Sequence, residues 1–131
     1  MINNTKKRKK ILLIDSDDTQ LTIAESILEN EYEICKAKSE NEALKYFYNN
    51  EYIPDLILLD ILMPKIDGWE VFGRIMTISE LKKVPIVFLT SAEGGEEEKK
   101  KAHELGAVDY IMRPYNKTDL RKKIKNIIES Q

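Results

Sequence analysis

Three short apolar runs, each followed by a polar residue, dominate the hydrophobic pattern of this chain. They are Ile11–Ile14 before Asp15, Leu56–Leu59 before Asp60, and Ile86–Leu89 before Thr90. Continuous runs of this length are typical of strands that are buried on both faces, as in a parallel sheet. Weaker strand patterns cover Tyr32–Ala37 and Val108–Met112.

Between these strands, apolar residues recur every three or four positions, which is the spacing of a helix with one buried face. The helical sets are Leu21, Ala24, Ile27 and Leu28; Ala43, Leu44 and Phe47; Phe72, Ile75 and Met76; and Leu120, Ile124, Ile127 and Ile128. A fourth helix is predicted after Gly94-Gly95, where Glu96 and Lys100 form a favourable i,i+4 pair. Ser39 and Thr118 are predicted to cap helices. Strands and helices that alternate in this way predict an α/β fold, with an open parallel sheet covered by helices on both faces.

Length and composition indicate one folded domain and exclude several classes of function. The chain has 131 residues, 42% of them hydrophobic and 34% charged, with a net charge of −2. We predict a basic, flexible arm over residues 1–8 and a single domain over residues 9–131. The small net charge argues against direct nucleic acid binding, and no apolar run is long enough to span a membrane. The absence of a signal-peptide pattern favours a cytoplasmic protein. One cysteine and one histidine cannot form a structural zinc site.

Ligands of open parallel sheets bind at the carboxyl ends of the strands. Asp15, Asp60 and Thr90 all follow predicted strands, so we expect them to lie together, with Asp17 or Asp18 nearby. Carboxylates this close repel one another unless a cation joins them, and hard oxygen ligands favour Mg²⁺. The sequence therefore predicts a magnesium site at this edge of the sheet.

Two further groups complete the predicted chemistry. Thr90 supplies a hydroxyl, and Arg113 is the cation nearest to the end of the fifth strand. Carboxylate, metal, hydroxyl and cation together suit phosphoryl transfer, which depends on positioning and charge neutralisation. No glycine-rich loop follows the first strand, so a nucleotide site of the P-loop or dinucleotide type is not expected.

Four motifs in order make the chain resemble the receiver domain of two-component response regulators, from Lys9 to about Glu129. They are Ile11-Leu12-Leu13-Ile14-Asp15; Pro54-Asp55-Leu56-Ile57-Leu58-Leu59-Asp60-Ile61-Leu62-Met63-Pro64 with Asp67-Gly68; Pro85-Ile86-Val87-Phe88-Leu89-Thr90-Ser91; and Gly106-Ala107-Val108-Asp109-Tyr110-Ile111-Met112-Arg113-Pro114-Tyr115. The resemblance implies a flavodoxin-like, doubly wound (βα)5 fold whose five-stranded parallel sheet has the order 2-1-3-4-5.

The resemblance also implies a role for each site residue. Asp60 is the expected phosphoacceptor, and Asp15, Asp60 and the backbone carbonyl of Leu62 are the expected Mg²⁺ ligands. Thr90 and Tyr110 are the expected switch pair, which carries the signal to the outer face. The Arg113-Pro114 bond falls where the family usually has a cis Lys-Pro peptide. No enzymatic activity is implied beyond magnesium-dependent self-phosphorylation and dephosphorylation.

The expected partners also follow from the family. A histidine kinase or a histidine phosphotransfer protein is the expected phosphodonor. A downstream protein is expected to bind the face made by the fourth helix, fifth strand and fifth helix, which includes Lys99–Glu104, Tyr110 and Lys117–Lys125. No nucleic acid or membrane partner is implied, and a monomer or weak homodimer is expected.

Two positions depart from the family pattern. Ser16 stands where receivers usually carry a second acid, which should weaken metal binding, with Asp17 as a partial substitute. Arg113 stands where they usually carry lysine, and its planar fork differs from a compact ammonium. These departures leave open a degenerate receiver that acts as a phosphorylation-independent interaction module.

An enzyme is a second alternative. The segment Ile14-Asp15-Ser16-Asp17-Asp18-Thr19 resembles the first motif of haloacid dehalogenase-like phosphatases, in which Asp15 would be the nucleophile and Asp17 the acid/base. That family also needs a late acidic motif for its metal. The segment after Thr90 offers no suitable acidic pair.

Overall fold

The computed structural model describes residues 8–48, 52–60, 68–78, 81–91 and 95–131, with the side chains at positions 90, 91 and 95 excluded. The strands are β1 (Lys10–Ile14), β2 (Glu33–Ala37), β3 (Leu56–Asp60), β4 (Ile86–Ser91) and β5 (Asp109–Arg113). The helices are α1 (Asp18–Leu28), α2 (Glu40–Lys45), α3 (Gly68–Met76), α4 (Gly95–Leu105) and α5 (Lys117–Glu129). The parallel sheet has the order β2-β1-β3-β4-β5, so the predicted fold class and strand order are confirmed. Except for Arg8, the predicted basic arm lies outside the described residues.

Strand register places the candidate site. Ile14 pairs with Leu59, so the next residues, Asp15 and Asp60, emerge side by side at the carboxyl edge of the adjacent strands β1 and β3. Ser91 at the end of β4 pairs with Arg113 at the end of β5. A long side chain from β5 therefore starts at the same edge as the two aspartates.

Successive side chains along each strand point to opposite faces of the sheet, so the core has two layers. On one face, Leu12, Ile57 and Phe88 are fully buried beneath α2, α3 and α4. On the other face, Leu13 and Leu58 are buried beneath α1 and α5. This arrangement explains the continuous apolar runs, because every residue of these runs lies in one of the two buried layers. The site thus rests on a sheet that is packed from both sides.

Several predicted boundaries differ from the structure by one or two residues. β3 and β4 continue through the polar residues that were expected to follow them, since backbone pairing does not require an apolar side chain. Ser39 caps α2 as predicted, by accepting from the Glu42 N–H. The prediction of Thr118 as a cap is wrong. Asn116 caps α5, and its side-chain oxygen accepts hydrogen bonds from the N–H groups of Thr118 and Asp119.

Cys35, Trp69 and His103 all lie away from the carboxyl ends of the central strands. Cys35 is partly buried on β2, next to the core layer that α2 and α3 cover. Trp69 packs against Phe88 with ring centroids 5.0 Å apart. His103 is exposed on α4. No helix in the described part of the chain is long and apolar enough to cross a membrane.

Candidate functional site

Asp15 and Asp60 form a buried acidic pair. Asp15 follows β1 directly and is 3% exposed, and Asp60 ends β3 and is 4% exposed. Two ionised carboxylates are costly to bury unless a cation compensates their charge. The predicted convergence of these two side chains is therefore present in the structure, together with the need for a positive partner.

Arg113 supplies that positive charge. Its Nη1 donates to Oδ2 of Asp60 at 2.8 Å, and its Nη2 donates to Oδ2 of Asp15 at 2.7 Å. The arginine side chain is only 17% exposed, so both ion pairs lie away from bulk water. A guanidinium has nitrogens in a fixed planar fork, which allows one residue to bind two acceptors at once. The sequence predicts a cation at this edge of the sheet, but its contact with both aspartates was not predicted.

Burial and nearby opposite charges shift the pKa values of Asp15 and Arg113 in opposite directions. Burial raises the pKa of Asp15 to about 6, and the nearby charge of Asp60 acts in the same direction. The Asp17 N–H, which donates to Oδ1 of Asp15 at 2.9 Å, and the guanidinium of Arg113 act in the opposite direction. Burial lowers the pKa of Arg113, but Asp60 and Asp15 together raise it above its ordinary value. Arg113 therefore stays charged across the physiological range.

The raised pKa of Asp15 predicts a pH-dependent stability. The native state holds a proton on Asp15 at pH values where the unfolded chain has lost it, so this contribution is present below about pH 4 and is lost as the pH rises through about 6. The difference between 3.8 and about 6 corresponds to at most about 3 kcal/mol. Asp15→Asn cannot titrate and should lack this loss. Urea unfolding of both proteins at several pH values tests this, and parallel stability curves would contradict it.

The residues on either side of Asp15 differ in their access to a metal. The Ser16 hydroxyl is buried and has no hydrogen-bond partner among the described residues. Asp17, expected as a possible ligand, is exposed and caps α1 by accepting from the N–H groups of Thr19 and Gln20. Asp18 pairs at the surface with Lys38 at 2.9 Å. Asp17 thus has a local structural role that the sequence analysis did not assign to it.

The donor set fits a small, hard cation. Mg²⁺ prefers oxygen ligands. The carboxylates of Asp15 and Asp60 and the buried, unpartnered hydroxyl of Ser16 offer such oxygens. Within the described residues, no cluster of three or more Asp, Glu, His or Cys side chains is arranged to hold a metal ion. The set is therefore poor in charge, and Arg113 already binds one oxygen of each carboxylate.

The other predicted site residues are Thr90, Leu62 and Tyr110. Thr90 lies on β4, where its backbone pairs with Met112, and its side chain is not described. Leu62 lies outside the described residues. Tyr110 lies on β5 and is 8% exposed, so its side chain is already buried in this structure. The Arg113-Pro114 peptide is cis, as the family pattern implied.

Tyr115 is a neighbour of the site that sequence reasoning missed. Its hydroxyl is buried beside the side chain of Arg113. Burial raises its pKa, while the adjacent charge of Arg113 opposes that rise. The sequence did contain a signal for this contact, a tyrosine directly after Arg113-Pro114, because a buried phenol normally has a polar partner.

Comparisons with known proteins agree with this architecture. The family model of the response regulator receiver domain matches residues 11–125. The chain is 33% identical over 121 residues to chemotaxis protein CheY of Halobacterium salinarum, a match covering 92% of this chain and 97% of that protein. It is 35% identical over 121 residues to the alkaline phosphatase synthesis transcriptional regulatory protein PhoP of Bacillus subtilis, covering 92% and 48%. The chain spans about half the length of several curated relatives that it matches.

Solved structures give the same result. A putative response regulator from Chloroflexus aurantiacus superposes with a TM-score of 0.83 at 35% identity, and the match covers 94% of this chain and 99% of that one. These matches favour neither the phosphatase alternative nor the phosphorylation-independent one. The structure adds that the Asp17 carboxylate, the acid/base of the phosphatase reading, is bound to the start of α1.

Proposed function

Because the chain belongs to the response regulator receiver domain family, a family of phosphoacceptor signalling modules, we propose that Asp60 is its phosphoacceptor. The observation that carries this proposal is the meeting of Asp15, Asp60 and Arg113 at the carboxyl edge of the sheet. Asp60 is the acid on the central strand β3, between the strands that supply its neighbours. Helices cover both faces of the sheet, so the backbone of Asp60 is held in place. This favours a fixed position for the attacking oxygen.

In the proposed reaction, a carboxylate oxygen of Asp60 attacks the phosphorus atom of the donor. A new oxygen–phosphorus bond forms while the bond from phosphorus to the leaving group breaks, and the leaving group departs with that electron pair. Arg113 donates hydrogen bonds to the phosphoryl oxygens, for which its fork geometry is suited. Thr90, at the end of the adjacent strand β4, supplies a hydroxyl to the same group.

Receiver domains typically bind Mg²⁺ at their acidic site. Here we assign its ligands to Asp15, Asp60 and the backbone carbonyl of Leu62, with Ser16 contributing a neutral oxygen. When bound, the metal supplies positive charge that neutralises the transferring phosphoryl group. Asp15 would help to hold the metal beside Asp60, since the two carboxylates emerge from neighbouring strands.

Receiver domains interact with histidine kinases and with downstream targets. We assign the phosphodonor of this chain to a histidine kinase or histidine phosphotransfer protein of the cytoplasm, and its output surface to α4, β5 and α5. A groove of about 590 Å³ lies on that surface, and its lining includes Lys99, Tyr110, Met112 and Lys123. Tyr110 connects this groove to the core, so a change at the site has a path to the surface. The proposal includes no activity beyond self-phosphorylation and dephosphorylation.

Restoring the missing acid should strengthen metal binding. Ser16→Asp replaces a neutral hydroxyl with a carboxylate beside Asp15, so we expect Mg²⁺ to bind about tenfold more tightly, or about 1.4 kcal/mol. Ser26→Asp is the matched control. Ser26 is exposed on α1, so this substitution adds the same charge away from the site. Isothermal titration calorimetry measures both. Equal affinity in Ser16→Asp and wild type would contradict a role for this position.

Mass spectrometry of the intact protein tests the proposed function. After incubation with Mg²⁺ and acetyl phosphate or phosphoramidate, the wild type should gain one phosphoryl group. In a parallel incubation with EDTA in place of Mg²⁺, a smaller fraction of the protein should gain a phosphoryl group. A protein that stays unmodified in the presence of metal and both donors would contradict the proposal and would favour the phosphorylation-independent alternative.

A further inference from the structure

Helix α4 contributes little apolar surface to the core. Among its described side chains, at positions 96–105, Ala102 alone is buried, and Leu105 is 45% exposed. The stretch from Glu96 to Lys101 consists entirely of charged residues. A helix of eleven residues is marginal by itself in water and gains most of its stability from packing on other elements. A helix that buries one methyl group therefore depends on further contacts to stay in place.

The carboxyl end of α4 is fixed by backbone hydrogen bonds. The Gly106 N–H donates to the His103 carbonyl at 3.1 Å, and the Ala107 N–H donates to the Ala102 carbonyl at 3.0 Å. Gly106 has a φ of 103°, a left-handed conformation that commonly ends a helix and that glycine adopts without strain. Any opening of α4 is therefore expected to begin in its amino-terminal half.

Lys101 joins α4 to the neighbouring helix α3. Its Nζ lies over the Trp69 ring, 4.4 Å from the ring centroid. An ammonium within about 6 Å of an aromatic centroid is attracted by the ring electrons, and tryptophan is the most favourable partner. Trp69 is partly buried against the core layer that α2, α3 and α4 cover, so its ring is held in a fixed position. The lysine therefore ties a weakly packed helix to a firmly packed one.

Trp69 in turn contacts the strands that carry the candidate site. Its ring packs edge-on against Phe88 of β4, with centroids 5.0 Å apart, and Phe88 is fully buried. The backbone of Phe88 pairs with Leu59, the residue before Asp60, and on its other side with Tyr110. The contact between Lys101 and Trp69 thus lies one aromatic ring away from the central strands.

We propose that the contact between Lys101 and Trp69 is a latch that holds α4 closed on α3, and that its release opens the groove between α4 and α5. Glu96 and Lys99 of α4 line that groove, so the position of α4 sets its width. The groove is the proposed output surface. The inference therefore rests on the proposed function and names a contact that regulates that surface. Lys101 is a positioning residue, because it acts through α4.

Hydrogen–deuterium exchange of the α4 backbone amides measures this opening in the full chain, with no phosphodonor present. Lys101→Met keeps an unbranched apolar side chain but removes the charge, so these amides should exchange about fivefold faster. Lys101→Arg retains a cation that can lie over the indole and should exchange as the wild type does. Lys100→Met is the matched control, because Lys100 is the exposed neighbour of Lys101 and carries the same charge. Equal exchange in Lys101→Met and Lys100→Met would overturn the inference.

A double-mutant cycle separates the latch from a general effect of losing a lysine. Trp69→Leu keeps an apolar side chain next to Phe88 but removes the indole face. In this background, Lys101→Met should not accelerate exchange further, because the partner of the charge is already absent. Acceleration of the same size with and without Trp69 would overturn the inference.

NMR of the wild type tests the closed latch without any substitution. The Cε protons of Lys101 should resonate upfield of those of Lys100, because they lie in the shielding region above the indole ring. Equal shifts for the two lysines would overturn the inference. The Met112 methyl group lines the groove, so its signal should shift in Lys101→Met and not in Lys100→Met. An unchanged Met112 signal in both variants would overturn the link between latch and groove. No phosphodonor is present, so failure of this inference and failure of the proposed function are separate results.

Discussion

Replacing Arg113 with alanine should lower the free energy of unfolding by about 3 kcal/mol at neutral pH, because it leaves two buried carboxylates without a cation. The effect is large because the carboxylates of Asp15 and Asp60 each accept a hydrogen bond from a different guanidinium nitrogen. It is limited because Asp15, whose pKa is already raised to about 6, can take up a proton when the arginine is gone. The loss should therefore be smaller near pH 5 than near pH 8.

Arg74→Ala provides the matched control in urea unfolding. Arg74 also contacts two carboxylates, those of Glu40 at 2.7 Å and Glu70 at 3.4 Å, but its side chain is 57% exposed. Exposed ion pairs contribute about 1 kcal/mol or less. If both alanine variants lost the same small amount, the arrangement of Arg113 between two buried aspartates would be wrong. Added Mg²⁺ should also recover more stability in Arg113→Ala than in the control.

Replacing Asp60 with asparagine should abolish phosphorylation. An amide oxygen is a poor nucleophile and cannot form the acyl phosphate, whereas the size and position of the side chain hardly change. Incubation of Asp60→Asn with acetyl phosphate and Mg²⁺ should leave the intact mass unchanged under conditions that modify the wild type. This is the largest effect expected of any single substitution in the chain.

Asp55→Asn is the control for that loss. Asp55 directly precedes the same strand at its opposite end, where its Oδ2 accepts a hydrogen bond from the Lys10 N–H at 2.7 Å. This variant should be phosphorylated like the wild type. Asp15→Asn should be phosphorylated more slowly, because it loses a proposed metal ligand. Labelling that survives in Asp60→Asn but disappears in Asp15→Asn would support the phosphatase alternative instead.

Much of the fold was predictable because burial on both faces leaves a strong signal. The runs Ile11–Ile14 and Leu56–Leu59 have no polar residue, and each strand residue enters one of two helical layers. The end of a strand is less predictable, since backbone pairing continues through Asp60 and Arg113 regardless of their polarity. The strand order came from family resemblance, because hydrophobic periodicity does not state which strands are neighbours.

The site was predictable in its members but not in its contacts. Convergence of Asp15 and Asp60 follows from parallel strands that end at the same edge. Arg113 starts two strands away from Asp60, and only the length and planarity of its side chain allow it to reach both carboxylates. Asp17 illustrates the opposite problem, because a carboxylate near a helix start can either cap the helix or bind a metal, and spacing alone does not decide between them.

These contacts change the expected behaviour of this receiver. Ser16 removes one negative charge, and Arg113 supplies a cation that binds both remaining carboxylates. We therefore expect a site that is stable without metal and that loads metal weakly. Phosphorylation should require more Mg²⁺ than in a receiver that carries a second acid at this position, a difference that Ser16→Asp should reduce.

Reductive trapping of the phosphorylated residue shows directly which aspartate carries the phosphoryl group. Borohydride converts an aspartyl phosphate to homoserine, and peptide mass spectrometry then identifies the modified position. After phosphorylation of the wild type with Mg²⁺ and acetyl phosphate, we expect homoserine at position 60 and an unchanged residue at every other aspartate. Homoserine at position 15, or no homoserine in a protein that has gained a phosphoryl group, would contradict it.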